Sequence, residues 1–376
     1  MEHKREYEYL VHLVRCGLQG LQPQEPPKKL SFRQLLALGK EHEVANIAFL
    51  AIEKLQNKPD EEVYKAWKTH HALSIRRHAN QMAARDAISQ TLSEAGIRHL
   101  EVQGTIMKTL YPQPYLRMMS DIDFIIDTEN LQAGEKLLQG LGYRTLIPPH
   151  GAEVNGYGKT GLAVELHTDF FVPGNLCYRS ITDPFSYAVP SEGYAQRGTA
   201  TIFYLYNLLH TVKHYLQQGT GIRRIMDLHI LQTKVWPDTD QGYIQKVLKE
   251  SGYSATAATL ISLAGLWFED EAPREDLKEA ARLVLEAGNH GTFQISLVND
   301  YKKAAPEKKR FYKLRYCKTR LFPGKEDIYK AYPRCKELRL PLLLCWVYRW
   351  VWLLSKKERR KAGLAQLADI RKAKLK

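Results

Sequence analysis

Cysteine is scarce in this sequence and occurs in no spacing that typically binds a metal or forms a redox pair. Five cysteines are spread over 376 residues, and no Cys-x-x-Cys pair occurs. Neither a zinc cluster nor a disulfide framework is therefore predicted. We expect reduced thiols and a cytoplasmic protein.

The sequence also lacks a long apolar run. No stretch of 18 or more uncharged apolar residues occurs, so no transmembrane helix is predicted. The first residues, MEHKREYEYLVHLV, mix charges and have no apolar segment of the kind found in secretory signal peptides. The motif G-x-S-x-G is absent, which argues against a serine hydrolase.

Acidic residues are few at the C-terminal end of the chain. Residues 302–376 contain 24 Lys or Arg against 6 Asp or Glu, whereas residues 1–301 contain 31 against 35. The tail therefore carries a net charge of +18. Such an asymmetry predicts a polyanionic partner, which could be nucleic acid or an anionic membrane surface. A solvated basic helix is the alternative.

The most informative stretch is residues 101–126, EVQGTIMKTLYPQPYLRMMSDIDFII. It predicts a short strand that ends near Val102 and a turn at Gly104 and Thr105. A turn or so of helix and a proline-broken loop follow. A second strand then begins with the letters DID.

Three acidic residues of the predicted strands are candidates for one site. Because successive side chains of a strand face opposite sides, Asp121 and Asp123 share one face while Ile122 and Phe124 enter the core. Glu165 lies in a later alternating run, LAVELHTDF. A bound divalent cation would relieve the repulsion between close carboxylates. The pattern is therefore typical of a site for a magnesium-bound nucleotide.

These features resemble the nucleotidyltransferase superfamily, whose fold is polymerase-β-like. The resemblance rests on the turn at Gly104 and Thr105, the Asp-x-Asp strand at Asp121 and Asp123, and the later Glu165. The superfamily usually has Gly-Ser or Gly-Gly at this turn, and threonine keeps the hydroxyl group. More narrowly, the runs LRMMSDIDFII, LQGLGYR and VELH are similar to an uncharacterised nucleotidyltransferase family of bacteria.

The resemblance implies an α+β fold in which a polymerase-β-like mixed sheet is flanked by N-terminal and C-terminal helical regions. It also implies transfer of a nucleoside monophosphate from an NTP to an acceptor that the sequence does not identify, with Mg²⁺ or Mn²⁺ as cofactor. The residues expected to be catalytic and to bind the metal are Asp121, Asp123 and Glu165. The residues expected to contact the nucleotide are Gly104, Thr105, Lys108, Arg117 and Ser120.

Several further polar residues are candidates for an acceptor pocket. His210 and His214 lie four residues apart on one predicted helix, and Asp227 lies on the next. They could bind a metal, bridge two packed helices or line the pocket. His167 shares a strand face with Glu165 and could hydrogen-bond it or contact the substrate.

The chain is predicted to have four segments. Residues 1–95 are a helical region with Ser31 as a helix N-cap, and residues 96–175 are the catalytic core. Residues 176–300 are predicted to be a helical domain, and residues 301–376 form a basic, tryptophan-rich tail. The string GYGKTG is predicted to be the tip of a β-hairpin.

The tail sequence LRLPLLLCWVYRWVWLLSKKERRKAG allows two interpretations. Aromatic residues beside a cationic cluster fit an interfacial helix, which would make the protein peripheral to a membrane. Alternatively, the helix packs its tryptophans onto the rest of the protein. The first interpretation leaves open a second function, in which a catalytically weak or inactive nucleotidyltransferase fold is recruited to an anionic membrane or nucleic acid.

Overall fold

Helices form the first quarter of the chain, as the hydrophobic periodicity predicts. In this computed structural model the described residues are 3–148, 151–159, 161–171, 176–177, 180–269, 271–272, 274–289, 291–292, 295–297, 299, 301, 311–332, 335 and 338–355. The first helices are α1 (Lys4–Gln19), α2 (Phe32–Glu41), α3 (Ala45–Ile52) and α4 (Glu61–Glu94). The predicted cap is confirmed, since the hydroxyl of Ser31 accepts a hydrogen bond of 3.2 Å from the amide of Gln34.

A mixed sheet follows these helices, and the protein is therefore α+β. Its strands are β1 (His99–Val102), β2 (Asp121–Ile126), β3 (Arg144–Leu146), β4 (Glu153–Tyr157), β5 (Ala163–His167), β6 (Ala188–Pro190) and β7 (Ala195–Gly198). Within the described residues the sheet order is β3-β4-β5-β2-β1-β7-β6. The connecting helices are α5 (Gly104–Thr109) and α6 (Leu131–Gly140).

The register of the central strands brings the acidic residues together. Strand β2 runs parallel to β5, with Asp123 opposite Glu165. Strand β4 is antiparallel to β5, with Glu153 opposite His167. Residues that are paired across a sheet point to the same face. Asp123, Glu165, Glu153 and His167 therefore lie on one face of three neighbouring strands.

The opposite face of the sheet packs against α4 and α6. Ile122, Phe124 and Ile126 of β2 are fully buried, as the strand alternation predicts. They belong to one apolar cluster with residues of the two helices and of the neighbouring strands, among them Ile88, Leu92, Leu131, Leu138, Val164 and Leu166. Burying each such side chain stabilises the fold by about 1.5–3 kcal/mol. This layer fixes the position of the acidic strand.

The predicted helical domain, residues 176–300, also contains β6 and β7, so the prediction is wrong for these two strands. These strands are too short to show alternation, and β7 forms because it pairs in parallel with the free edge of β1. The helices that follow are α7 (Ala200–Gln217), α8 (Ile222–Lys234), α9 (Gln241–Glu250), α10 (Ser254–Phe268) and α11 (Lys278–Ala287).

The chain divides into two compact units. One unit contains residues 1–215 and 219–290, and the other contains residues 216–218 and 291–376. The described helices of the second unit include α12 (Tyr312–Leu321), α13 (Lys325–Ala331) and α14 (Leu342–Leu354). Among the residues described, none of the helices is both long and apolar enough to cross a membrane.

Candidate functional site

A cavity of about 310 Å³ lies between the acidic face of the sheet and helices α7 and α8. Acidic and imidazole side chains line the sheet side, namely Asp121, Asp123, Glu153, Glu165 and His167. Basic and aromatic side chains line the helix side, among them Tyr206, His210, Lys213, His214, Arg223 and Arg224. The cavity therefore has two walls of opposite charge.

The acidic wall can hold a divalent cation. One ligand atom each from Asp123, Glu165 and His167 lie within 4.8 Å of one another. Asp121 lines the same cavity but lies outside this group. Carboxylate oxygens are the ligands that Mg²⁺ prefers, and Mn²⁺ also accepts an imidazole nitrogen. The donors present therefore fit either metal.

His167 lies between three carboxylates. Its Nε2 is 3.3 Å from Oδ1 of Asp123 and 3.2 Å from Oε2 of Glu165. Its Nδ1 is 3.2 Å from Oε2 of Glu153. Burial alone would lower the pKa of His167, but hydrogen bonds to the three carboxylates raise it well above its usual value. His167 therefore links the three acidic side chains and holds them in place.

The carboxyl group of Asp123 is buried and close to other acids. Only 5% of the residue is exposed. Burial and the neighbouring Asp121 raise its pKa, and the hydrogen bond from His167 opposes that rise. A buried carboxyl group with a raised pKa, in a cavity, is typical of a functional site.

The turn after β1 is strained at the edge of the cavity. Gln103 is not glycine, yet its φ is 55° and its ψ is −114°. Its side-chain amide donates a hydrogen bond of 2.7 Å to the hydroxyl of Tyr206, which crosses from the sheet to α7. A Cβ at Gly104 would lie 2.5 Å from Sδ of Met119 and 2.8 Å from Nη1 of Arg117. A side chain at this position would have to displace Met119 and Arg117, so close packing favours glycine here.

The structure brings some of the predicted nucleotide-binding residues to the cavity and leaves others outside its lining. Gly104, Arg117 and Ser120 line it. Thr105 is buried, and its hydroxyl lies 3.5 Å from the carbonyl oxygen of Val102. Lys108 is only 2% exposed and is also absent from the lining.

Arg117 and Asp227 form a buried ion pair. Nε and Nη2 of Arg117 donate to the two carboxylate oxygens of Asp227 at 3.1 and 3.0 Å. The hydroxyl of Tyr111 donates to the same carboxylate at 2.6 Å. Asp227 does not line the cavity. Burial would raise the pKa of Asp227, but Arg117 and Arg223 hold it below its usual value.

Arg223 is paired in a similar way. Its Nε lies 3.0 Å from Oε2 of Glu43 and donates to Oδ1 of Asn289 at 3.2 Å. Its Nη1 donates to the carbonyl oxygen of Met118 at 3.2 Å. The guanidinium group therefore ties the loop before β2 to the start of α8.

His210 and His214 contact each other across one turn of α7. Their Nε2 atoms are 3.3 Å apart, and Nη1 of Arg224 lies 2.9 Å from Nδ1 of His210. A guanidinium group can only donate, so Nδ1 of His210 accepts and its proton sits on Nε2. Burial and Lys213 lower the pKa of His210 well below its usual value. Both nitrogens of His210 are thus engaged, and in the described part of the chain the two histidines form no metal-binding group.

The sequence analysis missed several residues of the cavity, notably Glu153, Lys213 and Arg224. Glu153 is signalled by its place in the β4–β5 hairpin, because the antiparallel register sets it on the face of His167. Lys213 lies three residues after His210 and so shares its helix face. Arg224 has no comparable local signal, since only the packing of α8 brings it to the cavity.

Comparison with known proteins gives one result. A family model described as an uncharacterised nucleotidyltransferase matches residues 28–269 of the chain. The matched range includes every cavity residue on the sheet and on helices α7 and α8. Neither the curated proteins nor the solved structures contain a match.

Proposed function

This chain belongs to the family of uncharacterised nucleotidyltransferases, and we propose that it transfers a nucleoside monophosphate from an NTP to an acceptor with the help of Mg²⁺ or Mn²⁺. The observation that carries the proposal is the close group of Asp123, Glu165 and His167 in a cavity with a basic opposite wall. Asp121 on the same strand completes the proposed acidic set. A triphosphate bound between the two walls would contact the metal on the acidic side and the cationic side chains on the other side.

The proposed reaction is an in-line substitution at the α-phosphorus. A hydroxyl or phosphate oxygen of the acceptor forms the new P–O bond, the bond between the α-phosphorus and the bridging oxygen breaks, and pyrophosphate leaves. A divalent cation bound by Asp121, Asp123 and Glu165 would neutralise phosphate charge. When the acceptor is a hydroxyl, Glu165 would take its proton. His167 is a positioning residue, because it orients Asp123 and Glu165.

The loop before β2 orients the nucleotide in this proposal. Ser120 and Gly104 line the cavity beside the acidic strand. The hydroxyl of Ser120 lies 3.3 Å from Oδ1 of Asp121, so it can donate to that carboxylate or to a phosphate oxygen. The acceptor pocket is proposed to include His167, His210 and His214.

The first prediction is metal-dependent stabilisation by a nucleotide. Ligand that binds only the native state at 100 times its Kd stabilises it by about 2.7 kcal/mol. We expect at least one NTP with Mg²⁺ or Mn²⁺ to raise the melting temperature by several degrees. The Asp123→Asn variant should lose this shift, because it removes a charge from the metal site. The measurement is thermal unfolding with each NTP, with and without metal.

A matched control for that experiment is Glu129→Gln, which removes an exposed carboxylate just after the same strand. The control variant should keep the full shift. If the wild-type protein melts cooperatively and no nucleotide shifts it, the proposal is wrong. Transfer of label from an α-labelled NTP then identifies the acceptor class.

A second candidate function is recruitment to an anionic membrane surface, with or without turnover. The observation that favours it is a row of apolar side chains that are each more than half exposed on α14, namely Leu343, Leu344, Val347, Val351 and Leu354. After Ser355 the sequence continues with the basic letters KKERRK. An exposed apolar row beside cations is typical of interfacial helices. Co-sedimentation with anionic vesicles tests this candidate.

A further inference from the structure

The cations of the cavity fall into two classes. Arg117 is paired with the buried carboxylate of Asp227, and Arg223 is paired with Glu43. Lys213 and Arg224 line the same cavity, but neither forms an ion pair with a carboxylate in the described part of the chain. A charge that is withdrawn from water without a partner costs free energy. Lys213 and Arg224 are therefore candidate ligands for an anion in the cavity.

Arg224 has unused hydrogen-bonding capacity. Of its five N–H groups, one on Nη1 is directed to His210 at 2.9 Å. Its Nε is buried and has no hydrogen-bond partner in the described structure. Leaving such a buried donor unsatisfied costs free energy. An anion in the cavity would satisfy it.

Lys213 adds a second donor beside Arg224. Burial and the neighbouring Arg224 lower the pKa of Lys213 to about 8, although Asp123 and Glu165 across the cavity act to raise it. Burial and Arg223 similarly lower the pKa of Arg224 to about 10. The two cations thus repel each other in the free protein, and a bound anion would remove that repulsion.

The backbone of α8 adds to the positive potential at the same place. Arg224 is the third residue of this 13-residue helix, whose first amide, that of Ile222, donates to Nδ1 of His42 at 3.1 Å, so the helix contributes here through its dipole. The amide groups at a helix N-terminus favour a negative charge. Side chains and backbone therefore act in the same direction.

We propose that Lys213 and Arg224 form a phosphate-binding subsite on the helical wall of the cavity, and that it holds the terminal phosphates of the NTP, which leave as pyrophosphate. This assignment rests on the proposed nucleotidyl transfer. As the α–β phosphoanhydride bond breaks, negative charge builds up on the departing pyrophosphate. Arg224 can bind two of its oxygens through the guanidinium group, and Lys213 supplies a point charge.

The same phosphate chemistry could come from a phosphorylated acceptor instead of the NTP. The two sources are separated by comparing an NTP with the matching NMP. Weaker binding of the NTP but not of the NMP, after substitution of Arg224, supports the assignment to the terminal phosphates. Equal weakening of both ligands overturns it.

The central experiment is titration calorimetry with pyrophosphate in the absence of divalent metal. The proteins are the wild type, Arg224→Gln, Lys213→Gln and Asp123→Asn. We expect each of the two cation variants to bind pyrophosphate at least tenfold more weakly, because each loses a charge-assisted hydrogen bond. Lys249→Gln removes an exposed lysine of α9 and should bind like the wild type.

Asp123→Asn separates this inference from the proposed function. It should keep metal-free pyrophosphate binding, because it removes a carboxylate and no cation. If pyrophosphate binds through Lys213 and Arg224 but no NTP with metal stabilises the protein, the subsite stands and the nucleotidyl transfer fails. If the wild type does not bind pyrophosphate, or both cation variants bind it as tightly as the wild type, the subsite is wrong.

The melting temperature of the free variants distinguishes a binding role from a structural one. Lys213→Gln removes one of two mutually repelling cations and should leave the ligand-free protein as stable as the wild type or more stable, so a lower melting temperature of this variant would contradict the proposal. Arg224→Gln also removes the hydrogen bond to Nδ1 of His210, so its pyrophosphate affinity is the measurement that decides its role. Arg224→Lys keeps the charge and should retain part of the pyrophosphate affinity.

Discussion

The buried ion pair between Arg117 and Asp227 fixes the loop that leads into the acidic strand. The two side chains are about 4–5% exposed and make two hydrogen bonds to each other. Arg117 lies four residues before Asp121, so its anchoring to α8 positions the start of β2 beside the helical wall. The pair therefore affects the site by holding this loop in position.

Breaking this pair should be strongly destabilising. Asp227→Asn removes the charge and leaves Arg117 buried without a counter-ion, so we expect a loss of about 3–5 kcal/mol in the free energy of unfolding. Denaturant unfolding measures it. Replacing both partners, as in Arg117→Met with Asp227→Leu, should cost less than the single change. Asp238→Asn alters a carboxylate outside the pair and should be nearly neutral.

The face on which each strand residue lies could be predicted from the sequence. The contacts between residues that only packing brings together could not. Alternation along β2 and β5 is a local rule, and it placed Asp123 and Glu165 on the cavity face. The partner of Arg117 lies 110 residues along the chain. No local pattern reports such a contact, which is why Arg117 and Asp227 were assigned separate ligand-binding roles.

Helix α4 is the element that supports the acidic strand from behind. Its buried residues include Trp67, Ser74, Gln81 and Ile88, which repeat every seven positions along one stripe. Gln81 is 1% exposed, and its side-chain amide donates a hydrogen bond of 2.8 Å to the carbonyl oxygen of Met119. The helix thereby holds the backbone two residues before Asp121.

Removing that hydrogen bond should weaken both the fold and the site. Gln81→Leu leaves the buried carbonyl group of Met119 without a partner, which costs about 1–3 kcal/mol. We expect a lower melting temperature and a smaller stabilisation by NTP with metal, because Asp121 is less well held. The control is Gln90→Leu on the exposed face of the same helix, where little change is expected. Equal effects of the two substitutions would contradict this role.

The elements themselves were predictable where their periodicity is strong. The long helices of the first 95 residues and the β4–β5 hairpin follow from apolar spacing and from glycine at the turn. Strands β6 and β7 carry no such signal, because AVP and AQRG are short and half exposed. These two strands form because β7 hydrogen-bonds to the edge of β1 and β6 pairs with β7. Such pairing depends on the whole sheet and not on the local sequence.

On the scale of the molecule, positive charge is concentrated in residues 302–376, while the rest of the chain is slightly negative. The described helix α14 packs one side onto its own unit, where Nε1 of Trp346 donates a hydrogen bond of 2.9 Å to the carbonyl oxygen of Pro323. Its other side exposes 68% of Leu343 and 64% of Val351. One face of α14 therefore packs within its own unit and the other face is open, and recruitment to a membrane surface stays a prediction.

Membrane recruitment predicts that binding depends on both charge and apolar side chains. The double variant Leu343→Gln with Val351→Gln should bind anionic vesicles roughly tenfold more weakly, because two apolar contacts with the lipid are lost. Binding should also fall with added salt. Co-sedimentation measures both. Leu141→Gln removes an exposed leucine elsewhere and should have no effect. Equal binding to uncharged vesicles would contradict the prediction.

The pairing of the central strands also has a consequence for the order of folding. Asp123 and Glu165 meet only through the parallel pairing of β2 with β5, and β1 pairs in parallel with β7 almost a hundred residues away. Contacts so distant along the chain form slowly, because the intervening loop must lose its freedom first. We therefore expect the acidic cluster to assemble late in folding, after the helices, whose contacts are local.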